Sequence, residues 1–496
     1  MSIRMVIVLL ITLYTSRIVL EALGVVDYGI HNVVAGFVTM FAFMSSALSS
    51  GIQRFYNFEM GRSGSDGANR VYNTALAIQC IFAIVLVIVI EAVGLWYLHN
   101  KMVIPAERIS AATYIFHLAI ITLVLHILQV PYTAAVMAHE QMGFYALMSI
   151  FGAVATLIGT FIIKSLEFDA LILYGVLLCV IAAITLLAYI IFCKTKFEEI
   201  YLSKGICKSL FKEMLTFSGW NVLGTFGHML KDQGVNLILN LFFGPVVNAA
   251  KGIASQINGG VQSFVTNLTI PVRPQLIQSY SQGDKDRAYN LTYQVSKLSC
   301  IMLGLIAIPI ILEIDYVLQI WLGDNVPKYA AIFSIIVIIN SFILNLNSAI
   351  SGVVHASGIM KTYQITGGVI SIITVVAAYI AISIFKEPAV AFITILLFDI
   401  IRQIASIFIV INIEKGGIKW SEYLRLVILP ISVVLILSFL PSLFLHKVMA
   451  EGLSRFFVVT AISTLSILST TYVFALKDNE RGFVKQIIQR IIPLKH

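Results

Sequence analysis

Two adjacent charges, Lys231 and Asp232, lie in the middle of a strongly apolar segment, 214–243. Consecutive residues of a helix are about 100° apart around its axis, so these two side chains pair poorly with each other. At spacings of three and four residues, however, the carboxylate belongs to an unbroken polar face of the predicted helix: Asn221, Thr225, His228, Asp232, Asn236 and Asn240. Because an unpaired polar group in hydrocarbon costs several kcal/mol, this face is expected to contact water or polar protein groups.

The next apolar segment, 246–281, has the same pattern. Its polar face consists of Lys251, Ser255, Asn258, Gln262, Thr266, Thr269 and Arg273. Pro271 and Pro274 flank this arginine and break the helical hydrogen-bond ladder, which leaves carbonyl groups that water or protein must satisfy. Two successive polar faces indicate that both helices line a water-filled cavity or face each other.

The charges expected in this lining favour an anionic ligand. The first apolar segment contributes Arg17 and Glu21 at i and i+4, and the second segment ends near Arg54. The whole predicted lining has five cations against two carboxylates: Arg17, Arg54, Lys231, Lys251 and Arg273 against Glu21 and Asp232. A balance of +3 suits phosphate, which guanidinium and ammonium groups bind well.

Other residues of the lining have different predicted roles. Asn236 and Gln262 provide hydrogen bonds for sugar hydroxyls, whereas Asp232 and Glu21 are candidates for ion coupling. The alternative interpretation of the intramembrane charges is a set of buried ion pairs that stabilise packing, but the polar faces extend beyond any single pair. No metalloprotease, serine-hydrolase or phosphate-loop motif occurs in a suitable context, so neither an enzyme nor a cofactor or metal is expected.

Composition assigns these faces to a membrane protein. The 496 residues are 59% hydrophobic and 12% charged, and their mean hydropathy is +0.94. Soluble domains have about 25% charged residues. Apolar runs predict an all-α polytopic protein with about 14 transmembrane helices of roughly 20 residues each. The predicted spans include 4–22, 28–52, 109–137, 143–163 and 169–193. The N-terminal apolar run lacks a small-residue cleavage site and is interpreted as a retained first helix.

Orientation and an internal repeat define the predicted organisation. Placing the N-terminus in the cytoplasm assigns 21 of 33 Lys and Arg residues to cytoplasmic segments. Four short matches recur at offsets of 217 to 220, among them RVYN at 70–73 with RAYN at 287–290. Six helices per repeat make it a parallel one, with substrate expected between the halves. The predicted parts are a six-helix lobe 1–193, a cytoplasmic amphipathic connector 194–213, a second lobe 214–412, two additional helices in 413–476 and a cytoplasmic amphipathic tail 477–496.

Three stretches resemble a known superfamily. They are LYTSRIVLEALGVVDYGIHNVVAGFVTMFAFMSSALSSGIQRFYNFEMG, MLTFSGWNVLGTFGHMLKDQGVNLILNLFFGPVVNAAKGIA and VRPQLIQSYSQGD. Each is similar to bacterial polysaccharide-biosynthesis transporters, including O-antigen flippases, of the multidrug/oligosaccharidyl-lipid/polysaccharide exporter (MOP) superfamily. The resemblance implies a V-shaped pair of six-helix lobes with two extra helices, and transport by alternating access. It also implies that Arg17, Arg54 and Arg273 contact a lipid-linked pyrophosphate, with Lys231 as the candidate on the seventh helix.

The resulting hypothesis is a flippase of the bacterial inner membrane with both termini in the cytoplasm. It carries an undecaprenyl-pyrophosphate-linked oligosaccharide, such as an O-antigen or capsular repeat unit, to the outer leaflet. Membrane lipids, polysaccharide polymerase machinery and a proton or sodium ion are further candidate partners, and nucleic acid is not. A cation-coupled multidrug exporter of the same superfamily is the first alternative. A membrane polysaccharide polymerase or ligase is the second.

Overall fold

The computed structural model describes residues 2–203, 208–269, 276, 279–280, 282–357, 360–413, 419–476 and 481. Throughout these residues, regular structure is helical and no strand occurs. The helices are α1 Ser2–Thr39, α2 Ala42–Asn100, α3 Ile109–Ala138, α4 Met142–Lys164, α5 Ala170–Lys196, α6 Lys208–Phe243, α7 Pro245–Thr269, α8 Lys285–Leu312, α9 Ile314–Leu322, α10 Ala330–Ser357, α11 Met360–Phe385, α12 Ala389–Ile413, α13 Trp420–Val448 and α14 Leu453–Ala475. The predicted all-α class is confirmed.

Glycines divide the two longest helices. Gly24 has φ +74° within α1, and Gly64 has φ +61° within α2. Side-chain-bearing residues rarely adopt these left-handed angles, so each glycine permits a break at which the chain changes direction. The predicted first span, 4–22, corresponds to the part of α1 before the break at Gly24. The predicted second span, 28–52, corresponds to the rest of α1 and the beginning of α2.

The internal repeat is visible in the backbone. Gly244 has φ +76° and Gly283 has φ +83°, so both breaks recur about 220 residues later along the chain (Gly24 with Gly244, Gly64 with Gly283). The starts of α3, α4 and α5 recur at similar offsets in the starts of α10, α11 and α12. The repeat that four short sequence matches predict is thus confirmed by the recurrence of the glycine breaks and helix starts.

Eleven helices of the described residues are long and apolar enough to cross a membrane. The chain is a multi-pass membrane protein. Helices α6 and α7 are absent from these eleven, and they are the two that carry the predicted polar faces. The count of 14 spans remains a prediction.

The described residues cluster into two compact units. The first unit is Met1–Ile253, Trp321–Ala330 and Gly367–Ile395, and the second is Ala254–Ile320, Ala331–Thr366 and Leu396–His496. In the first unit, buried tyrosines pack together where α2, α3 and α5 meet, and Tyr72 donates a hydrogen bond to Tyr132 over 3.0 Å. In the second, α13 and α14 pack on α8. The predicted lobes, 1–193 and 214–412, are defined by the sequence repeat, whereas the two units are defined by contacts between residues. The boundaries of the lobes remain a prediction.

The predicted amphipathic connector, 194–213, differs from the observed segment. Helix α5 extends to Lys196 and α6 begins at Lys208, so the helices take up both ends of the connector. Its described middle, 197–203, is irregular, and Phe197, Glu199 and Ile200 are buried against helices of the first unit. The predicted tail, 477–496, lies outside the described residues except for Arg481.

Candidate anion-binding site

Arg17 and Glu21 form the ion pair that their spacing predicts. Arg17 Nε donates to Glu21 Oε1 over 3.0 Å on α1. The second carboxylate oxygen of Glu21 accepts from Lys164 Nζ, at the end of α4, over 2.9 Å. The Arg17 guanidinium also lies beside the turn at Gly323, within about 4 Å of where a Cβ would be. One carboxylate thus holds two cations from two helices of the first unit.

Lys251 pairs with Asp232 within the first unit. Its ammonium group donates to the Asp232 backbone oxygen over 2.7 Å and to Oδ1 over 3.1 Å. The lysine side chain is only 9% exposed, whereas that of Asp232 is 58% exposed. The aspartate therefore has an identified structural partner on α7, and its carboxylate still meets open space. Lys231, the neighbour of Asp232, is half-buried on α6.

The C-terminal part of the α6 polar face is satisfied by protein groups. Asn236 donates to the backbone oxygen of Asn32 over 3.2 Å, and Asn248 donates to both oxygens of Asn236 over 2.8 Å. Asn240 exchanges two hydrogen bonds with the backbone of Val103, at 2.9 and 3.3 Å. Both asparagines are buried. Their amides lock α6 against the elements packed on it.

Two glycines on another side of α6 allow a neighbouring helix to approach its backbone closely. A Cβ at Gly227 would lie 2.7 Å from Gly368 Cα on α11, and one at Gly234 would contact Val375. Such close backbone approach requires the absence of a side chain. The glycine side of α6 therefore packs on α11, whereas Asn236 and Asp232 of its polar face contact α1 and α7.

Farther along α7, the polar face contacts α10 within the second unit. Ser341 donates to Asn258 Oδ1 over 2.5 Å, and Asn345 donates to Gln262 Oε1 over 3.2 Å. The division between the units falls between Ile253 and Ala254, inside α7. The single stripe predicted on this helix thus serves both units, with Lys251 in the first and Gln262 in the second.

Two predicted phosphate ligands are not described. Arg273, with its flanking Pro271 and Pro274, lies outside the described residues, as does the side chain of Arg54. The side chains of Asn221, Thr225 and His228 also lie outside. Of the predicted site residues, the structure therefore places Arg17 with Glu21, and Lys251 with Asp232.

Sequence reasoning missed a second cluster, around Arg108. Its guanidinium donates to both oxygens of Asp27, one at 2.8 Å, and to both oxygens of Asp169, at 2.6 and 3.0 Å. Asp169 also caps α5 by accepting from Leu171 N. The bonds from Arg108 hold the pKa of Asp169 below its ordinary value. Such bidentate pairing fixes α1, just after its break at Gly24, to the starts of α3 and α5.

Within the described residues, no group of His, Cys, Asp and Glu side chains is placed to hold a metal ion. What the site offers instead is ammonium and guanidinium groups, each close to one carboxylate. The fold and this site define a multi-pass helical membrane protein with a repeated bundle and two clusters of charged side chains in its first unit.

Solved structures similar to this chain include transporters. The chain is similar to the lipid II flippase MurJ in an inward closed conformation, with a TM-score of 0.73 over 98% of this chain and 99% of that one, at 13% identity. It is also similar to an inward-facing MATE multidrug transporter of the MOP superfamily, with a TM-score of 0.66 over 80% and 92% of the chains, at 12% identity. The MATE multidrug transporter DinF-BH gives a TM-score of 0.62 over 82% and 92% of the chains, at 16% identity.

These likenesses show that the chain has the fold of these transporters, as the sequence resemblance implies. No known family matches the sequence as a whole, and no curated protein is similar to it. At such low identities the likeness establishes the fold and not the substrate.

Proposed function

We propose that this protein is a flippase for an undecaprenyl-pyrophosphate-linked oligosaccharide, moving it from the cytoplasmic to the outer leaflet of a bacterial inner membrane. The supporting observation is the excess of cations over carboxylates in two clusters of the first unit. Among the described residues, these clusters contain the cations Arg17, Lys164, Lys231 and Lys251 and the carboxylates Glu21 and Asp232. The resemblance to a lipid II flippase over nearly the full chain supports the same function.

In this mechanism, the protein binds and exposes its substrate without making or breaking a covalent bond. Pyrophosphate carries the substrate charge, and guanidinium and ammonium groups replace part of the water that it loses on leaving the headgroup region. The polyprenyl chain stays in lipid because burying it in a polar interior would forfeit its hydrophobic stabilisation. Arg54 and Arg273 are further proposed ligands. Alternating access of the kind attributed to the MOP superfamily carries the headgroup across.

A cation-coupled multidrug exporter is the second candidate. The observation that favours it is the carboxylate of Asp232, which is 58% exposed although its neighbour Lys251 is buried. An accessible carboxylate attracts cationic drugs and exchangeable ions. The likeness to MATE transporters is compatible with this function.

One strain comparison separates the two candidates. Deleting the gene is expected to make lipid-linked oligosaccharide accumulate on the cytoplasmic side and to reduce surface polysaccharide, without sensitising cells to cationic dyes. Arg17→Gln is expected to restore less surface polysaccharide than wild type, and Arg287→Gln, at an exposed position on α8, to restore it fully. Dye sensitivity with normal surface polysaccharide would instead establish the exporter.

A further inference from the structure

Lys164 is a cation that neither the polar faces nor the superfamily resemblance assigns to the site. It is in the last turn of α4, and its ammonium group lies 2.9 Å from Glu21 Oε2. Glu21 Oε1 accepts from Arg17 Nε at the same time. Because each oxygen of the Glu21 carboxylate binds a different cation, the two positive groups lie on either side of one carboxylate.

Exposure and charge make this cluster suited to an anion. The side chains of Lys164 and Arg17 are 50% and 37% exposed, whereas that of Glu21 is 22% exposed. The two cations therefore present more open surface than the carboxylate between them. In the ion pairs that Arg17 and Lys164 form with Glu21, two positive charges share one negative charge, and an arginine beside a lysine matches the several oxygens of a phosphate or diphosphate.

The cluster also lies toward one predicted end of the membrane. With a cytoplasmic N-terminus, the first span and the span that ends near Lys164 both run outward, so Glu21 and Lys164 come at their outer ends. A substrate anion reaches such a site late in translocation, before it enters the outer leaflet.

We propose that Arg17 and Lys164 form an exit-side binding station for the phosphate groups of the lipid-linked substrate, with Glu21 as its built-in counter-charge. This inference rests on the proposed function. Two unopposed cations would retain a diphosphate, whereas a transporter must release it. Glu21 holds both cations in place and lowers the net charge that the diphosphate meets, which weakens binding enough for departure.

Binding to the purified full-length protein in phosphatidylcholine nanodiscs tests this role. The probe is undecaprenyl pyrophosphate, with the uncharged undecaprenol as reference. Lys164→Gln is expected to raise the Kd for the pyrophosphate about threefold to fivefold, since an exposed ion pair contributes at most about 1 kcal/mol. Lys164→Arg is expected to restore binding. The matched control is Lys447→Gln, because this lysine is also exposed and in the last turn of its helix, α13.

Glu21→Gln gives the opposite expectation. Removing the counter-charge is expected to lower the Kd about threefold to fivefold, to slow dissociation and to steepen the dependence of binding on salt. A Kd for Lys164→Gln within twofold of wild type, or weaker binding by Glu21→Gln, would overturn the exit station. A wild-type protein that binds undecaprenol as tightly as undecaprenyl pyrophosphate would overturn the proposed function itself, so the two failures are distinguishable.

Discussion

Glu199 fastens the segment between α5 and α6 to the first unit, and its replacement tests that role. Its side chain is only 5% exposed. Tyr56 donates a hydrogen bond to Oε1 over 2.8 Å, and His139 Nε2 lies 2.6 Å from the same oxygen. Asn69 donates to the Glu199 backbone oxygen over 2.7 Å. The connector is thus attached to α2 and to the end of α3 through one buried carboxylate and its backbone.

The expected cost follows from these contacts. Removing one partner of a buried charged pair costs about 3–5 kcal/mol, because the remaining groups stay buried and unpaired. The His139 side chain is 28% exposed and recovers some water, so the lower end applies to Glu199→Ala, about 3 kcal/mol. Glu199→Gln keeps an oxygen for Tyr56 and loses only the charge, which is expected to cost about 1 kcal/mol.

Thermal unfolding of the purified protein in one detergent measures the difference. Glu199→Ala is expected to lower the Tm by about 3–6 °C, with a smaller decrease for Glu199→Gln. The matched control is Glu198→Ala, whose exposed side chain precedes Glu199 directly. Trypsin provides a second measurement, because a released connector exposes its lysines to faster cleavage. Equal Tm values for Glu199→Ala and Glu198→Ala would refute the role assigned to these contacts.

The same carboxylate gives a pH dependence with a definite sign. Burial opposes its ionisation, but hydrogen bonds from His139 and Tyr56 outweigh that effect and leave the pKa of Glu199 below its ordinary value of 4.5. A lowered pKa in the folded state contributes stability that is fully present above about 4.5 and is lost as the pH falls through the folded-state value. The Tm difference between wild type and Glu199→Gln is therefore expected to shrink on acidification. A difference that grows instead would contradict the sign.

Further substitutions test three contacts within the two units, and the change in Tm measures each effect. Lys251→Met is expected to destabilise by about 1–3 kcal/mol and Asp232→Asn by less than about 1 kcal/mol, because only the lysine is buried; equal losses would argue against this asymmetry. Glu313 is fully buried and pairs with Arg455 at 2.8 Å. Glu313→Leu alone is expected to cost about 3–5 kcal/mol, and the double variant Glu313→Leu with Arg455→Met clearly less, because it leaves no unpaired arginine. Additive losses would show that the single variant leaves no buried charge uncompensated. Trp321→Phe removes a 2.6 Å hydrogen bond to a backbone oxygen of α1 and should cost about 1 kcal/mol, and an unchanged Tm would show that the bond does not stabilise the fold.

Periodicity predicted the helices well because each is encoded by its own residues. The predicted spans 109–137 and 169–193 correspond to α3, Ile109–Ala138, and α5, Ala170–Lys196. The repeat was also readable, since positions that require left-handed backbone angles retain glycine in both halves. These features depend on local sequence, and a hydrophobic pattern reports local structure directly.

Contacts between distant helices were not readable in the same way. Lys164 lies 143 residues from Glu21, and Arg108 lies 81 and 61 residues from its two carboxylate partners. A helical pattern indicates which residues share a face but not which helix that face meets. Only the Arg17–Glu21 pair, at i and i+4 on one helix, could be predicted with its partner.

Burial and bonding sort the predicted site residues more finely than charge alone. To bind a sugar, Asn236 would have to give up its hydrogen bonds with Asn32 and Asn248, and leaving those buried groups unpaired costs about 1–3 kcal/mol each. A new hydrogen bond to substrate recovers only part of that cost. Arg17 and Lys164 have exposed surface that can contact an anion while Glu21 keeps its bonds to both. If the proposed function holds, we expect selectivity for charge over sugar identity, because these two cations are accessible whereas the Asn236 amide is committed to packing.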